Sequence, residues 1–143
     1  MYKKILVPTD GSKFAERAEK QALLLARMTE AEIIALGVVE TGFSLGISSN
    51  ETVKDITEML KKEAEENIKI IEKMKEAEHC DVKITLKIDE GSPAAVILDT
   101  IEKENIDLVV MGNSGKTGFN RIIMGSVAEK VVKFAKCSVL VVY

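Results

Sequence analysis

Tryptophan is absent, and aromatic residues make up only 4% of the chain. Few bases could be stacked by so few rings, which argues against a single-stranded nucleic-acid binder. A formal net charge of −3 gives no electrostatic drive toward nucleic acid or an anionic membrane. Histidine occurs once, as His79, beside one of two cysteines, Cys80; the other is Cys137. No CxxC spacing and no second ligand cluster accompany them, so both thiols read as reduced and no zinc site is indicated. His79-Cys80 instead reads as a solvated helix-to-strand turn. Long apolar runs are missing as well, and Met1 leads almost directly into the strand-like Lys3-Lys4-Ile5-Leu6-Val7 rather than a signal peptide. The expectation is a cytoplasmic protein that does not cross a membrane.

What is present is an ordinary globular composition, 46% hydrophobic and 30% charged over 143 residues. That length predicts one domain, residues 1–143, burying roughly two-thirds of its unfolded surface. Five segments read as strands: Lys4–Thr9, Glu32–Val39, Asp81–Ile88, Leu108–Met111 and Ser138–Val142. Helical stretches alternate with them over about Ser12–Thr29, Glu51–Glu78, Pro93–Glu104 and Ser126–Ala135. This alternation predicts an α/β fold with right-handed crossovers and a parallel sheet. Helix starts are signalled by Ser92-Pro93 and by the capping-box spacings Ser48/Glu51 and Ser126/Glu129.

The strands differ in pattern. Four are near-continuous apolar runs, as expected where helices cover both faces. The third alternates Val82, Ile84, Leu86 and Ile88 with Lys83, Thr85 and Lys87, which suits a protected edge. The last, Val139 to Tyr143, is apolar throughout and needs a cover if it is an edge. The second helix carries Val53, Ile56, Leu60, Ala64, Ile68, Ile71 and Met74 on one stripe. As one unbroken helix it would run roughly 42 Å, more than a strand requires. Either part of it projects or bends, or it simply covers the sheet, the reading preferred here. The stretch 40–50, with Gly42 and Gly46, is the candidate flexible lid.

Chemistry concentrates in the last third. Gly112, Gly115, Gly125 and Ser126 form a G-x2-G-x9-G-S pattern between the fourth strand and the last helix. Glycines let a ligand approach the main chain, and the helix start adds unpaired N–H groups and the positive end of its dipole. Such a loop is an anion cradle. Gly115-Lys116-Thr117 imitates the end of a Walker A loop, but Val110 stands where that motif needs its first glycine. The dinucleotide fingerprint fails too, because Asn113 and Ser114 separate Gly112 from Gly115. Open parallel sheets bind ligands beyond the carboxyl ends of their strands, here Pro8-Thr9-Asp10-Gly11-Ser12, Val38-Val39-Glu40 and Met111-Gly112. Asp10 is a candidate contact for Mg2+, since hard divalent ions prefer carboxylate oxygen; taken alone it reads as a turn residue. Lys116 and Arg121 are candidates to neutralise phosphate charge. Ser126 contacts phosphate, caps its helix, or does both. No histidine lies near the loop, and Glu129 reads as a cap partner, so a dedicated catalyst is not indicated.

The run Lys3 to Ser12 together with Gly112 to Val142 resembles the universal stress protein family over essentially the whole chain. The glycine spacing is that of the family's nucleotide-binding branch. The resemblance implies an open twisted, Rossmann-like parallel sheet of five strands, order 3-2-1-4-5, with helices on both faces. It implies ATP, with Mg2+, at the first and fourth strand ends. By position, Pro8, Thr9 and Asp10 would line the ribose and phosphate side, Val38 would meet adenine through its main chain, and Met111 would form the apolar wall. Gly112, Asn113, Gly115 and Lys116 would wrap the phosphates from one side, Gly125, Ser126 and Val127 from the other. Ser114 and Gly37 depart from the family pattern. A homodimer paired through the terminal strands is also implied, which would cover Val139–Tyr143.

The leading reading is thus an ATP-binding regulatory or stress-response protein with at most slow hydrolysis. A nucleotide-free structural or interaction dimer of the same fold is the alternative. An adenine-nucleotide hydrolase or ligase would need a richer phosphate loop than Pro8–Ser12. A phospho-receiver built on Asp10 and Asp89 would need a lysine and a helix after the fifth strand.

Overall fold

The computed structural model describes residues 1–40, 50–114 and 124–143. Its elements run β1 (Lys4–Pro8), α1 (Lys13–Thr29), β2 (Glu32–Val39), α2 (Asn50–Ile68), α3 (Ile70–Ala77), β3 (Ile84–Glu90), α4 (Pro93–Lys103), β4 (Leu108–Gly112), α5 (Ser126–Phe134) and β5 (Ser138–Val142). The five strands pair in parallel, in the order β3-β2-β1-β4-β5. The alternating strand is therefore an edge, as its lysines suggested, and so is the apolar β5.

Strand side chains alternate between faces, and the two cores follow. Ile5 and Val7 join Ala18, Ala22 and Leu23 of α1 and Ile71 of α3 on one face. Leu6, Val109 and Met111 join Ile97, Ile101 and Val131 of α4 and α5 on the other. Ile5, Leu6 and Val7 are fully buried, each worth about 1.5–3 kcal/mol over exposure. Two covered faces explain why the inner strands read as apolar runs.

The boundaries carry corrections. The helix expected over 51–78 is broken: the Lys69 N–H bonds the Glu66 carbonyl at 3.3 Å, one residue short of the α pattern, and α3 starts anew. β3 begins at Ile84 rather than Asp81 and runs on to Glu90, because its register follows β2 from Ile33 to Val39. The Ser126/Glu129 box does not form. Gly125 is the N-cap, its carbonyl accepting the Glu129 N–H at 2.9 Å, so the helix starts one residue earlier than that box requires. Ser92 occupies its cap position with Pro93 behind it, but its side chain makes no capping bond. Ser48 of the Ser48/Glu51 spacing and residues 41–49 of the 40–50 lid lie outside the described residues.

Between α3 and β3, His79 takes a left-handed φ of 49°. The Cys80 N–H bonds Lys75 and the His79 N–H bonds Glu76, both at 3.2 Å, closing a Schellman cap. His79-Cys80 is a helix stop, as expected, except that Cys80 is buried rather than solvated. Glu30 and Asn105 end α1 and α4 in the same left-handed way.

Candidate functional site

The strand order reverses between β1 and β4, where a ligand crevice is expected. The turn after β1 is built tightly there. The Thr9 N–H still bonds the Leu36 carbonyl at 2.9 Å, extending the ladder beyond Pro8. Asp10 Oδ1 accepts the Ser12 N–H at 2.9 Å, and Ser12 Oγ caps α1 by accepting the Ala15 N–H at 3.1 Å. Gly11 sits at φ 78° with the Asn67 amide where a Cβ would stand, so this position needs glycine. From α2, Asn67 Nδ2 donates to the Asp10 carbonyl at 3.0 Å. The turn is thereby tied to a helix far away in sequence.

At the end of β4, a Cβ on Gly112 would lie 2.8 Å from the carbonyl carbon of Phe14. Close approach of the α1 backbone, besides any ligand, accounts for that glycine. The Asn113 N–H bonds the Val142 carbonyl and the Gly125 N–H bonds the Asn113 carbonyl, both at 2.8 Å. Two cradle donors are thus spent inside the protein. The donors left by helix geometry are in the first turn of α5, Ser126 to Ala128, and no side chain caps them.

These pieces surround one cavity of about 520 Å³, within the usual range for a small-molecule site. Pro8, Thr9 and Asp10 line it from β1, Val38 from β2, and Met111, Gly112 and Asn113 from β4. Gly125, Ser126 and Val127 close it at the start of α5. The structure brings all of these sequence candidates together. Gly115, Lys116 and Arg121 lie outside the described residues. Among the described residues, no group of three or more His, Cys, Asp or Glu could hold a metal ion. Asp89 does not line the cavity; it pairs with Lys87 at 3.6 Å on the edge strand.

Sequence reasoning missed the α2 wall, Leu60, Glu63, Ala64 and Asn67. Nothing local marks it, because α2 reaches the site through tertiary packing. It also missed Glu19, buried in the alanine stripe of α1 with Ala15, Ala18, Ala22 and Ala26. An acid in an otherwise apolar stripe was a readable signal. Burial raises its pKa to about 7, the nearby Thr9 side chain pulls the other way, and Glu16 and Asp10 add to the rise.

The fold and cavity define a doubly wound α/β protein with a ligand pocket at its switch point, one wall of which is an uncapped helix start. The chain belongs to the universal stress protein family, whose family model matches residues 1–143. It is 45% identical over 142 residues to universal stress protein MJ0531 of Methanocaldococcus jannaschii, covering 99% of this chain and 82% of that one. The solved structure of MJ0577, from the same organism, superposes with a TM-score of 0.84 at 35% identity, covering 99% and 96%. A family protein from Arabidopsis thaliana, solved with AMP bound, shares the fold at a TM-score of 0.68 and 19% identity, covering 98% and 90%. No helix among the described residues is long and apolar enough to cross a membrane.

Proposed function

We propose that this protein binds ATP in the switch-point cavity and acts as a regulatory or stress-response protein, with at most slow hydrolysis. The observation that carries this is the uncapped start of α5 opening on the same cavity as the β1 turn. Main-chain donors and the helix dipole favour phosphate at that wall. Met111 and Val38 offer an apolar surface for the base. A family protein seen with AMP fits the ligand class. In this reading Gly115 and Lys116 complete the phosphate side. Mg2+ arrives with the phosphates and is held chiefly by them, since no described carboxylate cluster makes a cage and Asp10 Oδ1 is engaged by the turn. The protein works as a homodimer, a second copy covering the β5 edge where Leu140 and Tyr143 are exposed.

A second reading, a nucleotide-free structural dimer, is favoured by one observation. The β1 turn and the Gly125 N–H are already satisfied within the chain, so these parts of the wall are complete without a ligand. The deciding experiment denatures freshly purified protein, identifies any released nucleotide, and measures ATP binding by calorimetry. Adenine nucleotide in the supernatant, or a measurable Kd, supports the first reading. Absence of both leaves the second.

A further inference from the structure

Glu19 has 0% exposure, and neither carboxylate oxygen meets hydrogen-bond geometry with any described group. It follows Ala15 by four residues, so the two share a helix face. Ala15 and Thr9 both line the cavity. Its Cα therefore lies about one helical turn from a cavity-lining residue, its side chain leans back toward that residue, and the Thr9 side chain acts on the carboxyl.

Its charged surroundings are one-sided. Asp10 from the β1 turn and Glu16 from its own helix are the charged groups acting on it, and both are acids. β4 and β5, packed against α1, carry no charged side chain. On β1 and β2 the only charged residues are Lys4 and Glu32, paired to each other at 3.7 Å at the opposite end of the sheet. From α3 come Glu72, Lys73, Lys75 and Glu76, none of which appears among the influences on this carboxyl. A buried carboxylate so placed has no cation to offset its charge, only the Thr9 side chain, which favours the ionised form, and an anion arriving in the cavity adds repulsion.

We propose that Glu19 is a charge gate on the ligand site: neutral, it admits a polyphosphate, and ionised, it repels one while leaving an uncharged nucleoside unaffected. The proposal rests on the nucleotide reading above and adds what regulates that site. Linkage sets the sign, because a bound phosphate stabilises the protonated carboxyl, so ATP binding takes up protons and weakens as pH rises. In the empty protein the carboxyl titrates at about 7. If bound phosphate raises it by about one further unit, the ATP Kd weakens about fivefold between pH 6 and pH 8 on this account.

The experiment measures Kd for ATP and for adenosine at pH 6 and pH 8, in the wild type, Glu19→Gln and Glu19→Leu. Dividing wild type by variant cancels the titration of ATP itself and of every other group. The expected result is an ATP ratio that rises about fivefold from pH 6 to pH 8, with both variants, while the adenosine ratio stays flat. Identical ATP profiles in all three proteins, or an adenosine ratio that moves with that of ATP, overturn the gate and leave the nucleotide site standing. Failure of all three proteins to bind either ligand removes the nucleotide site and the gate with it.

Discussion

Ser126 offers the sharpest single-residue question. It is the first helical residue of α5, and the Gly125 before it has φ −62° and ψ 154°. Those angles suit a residue preceding proline, and proline is at home at a first helical position. Ser126→Pro would therefore delete one N–H of the proposed phosphate wall with little harm to the helix. Against Ser126→Ala, which removes only the hydroxyl, we expect ATP to bind about tenfold more weakly, the worth of one charge-assisted hydrogen bond. Equal Kd values for the two variants in calorimetry would take this N–H out of the site. Glu30 poses a different question, since it closes α1 at φ 58° without being glycine. Left-handed backbone costs a side-chain-bearing residue about 1–2 kcal/mol, of which glycine's extra unfolded-state freedom cancels part. Glu30→Gly should raise stability by about 0.5 to 1 kcal/mol in urea titration; a loss would show that the Glu30 side chain contributes more than its backbone strain costs.

At the scale of elements, the start of β1 is clasped to the entrance of β4. Asp107 Oδ2 accepts both the Lys3 and the Lys4 N–H at 2.8 Å, and these two bonds hold its carboxyl below the usual range. The stabilisation is present above the unfolded value and is lost as pH falls through the folded one. Because the group is exposed, Asp107→Asn should cost only about 1 kcal/mol at pH 7. The gap between the two proteins should close as acid is added below pH ~4; a gap that persists there would mean the bonds do not depend on charge. Elements of this kind differed in how well they could be read from residues. The three inner strands and the lysine-studded edge were legible because sheet position dictates their pattern, whereas β5 is apolar although it too is an edge. The break at Lys69 was not, since it contains neither proline nor glycine. The helix stop at His79 was legible as a turn only, as a left-handed cap built without glycine leaves little compositional trace. The cavity's strand-end residues showed themselves through their place at strand carboxyl ends, the glycine spacing and the family resemblance, whereas Asn67 and the α2 wall arrive by packing that no local pattern encodes.

For the molecule as a whole, the two edges of the sheet and one buried acid set how it behaves with concentration and pH. If a second copy covers β5, Leu140→Lys should shift the protein toward monomer in sedimentation equilibrium, because the partner strand would meet a charge in place of an apolar side chain. An unchanged mass would place the contact elsewhere. Glu19 governs the pH response. In the unfolded chain it would ionise near pH 4.5, whereas in the fold its pKa is about 7. Between those values the native state holds a proton that the unfolded state has released, so stability must fall as pH rises, and it levels off once both states are ionised. A shift of this size corresponds to about 3 kcal/mol, a large part of the 5–15 kcal/mol typical of a domain. Glu19→Leu puts an apolar side chain of similar size in the stripe and removes the titration. Urea unfolding should show the variant close to the wild type at pH 5 and more stable by about 2 to 3 kcal/mol at pH 8. Parallel stability curves for the two proteins would mean that Glu19 is neutralised in the fold by some other route, and the charge gate would lose its physical basis together with the pH dependence.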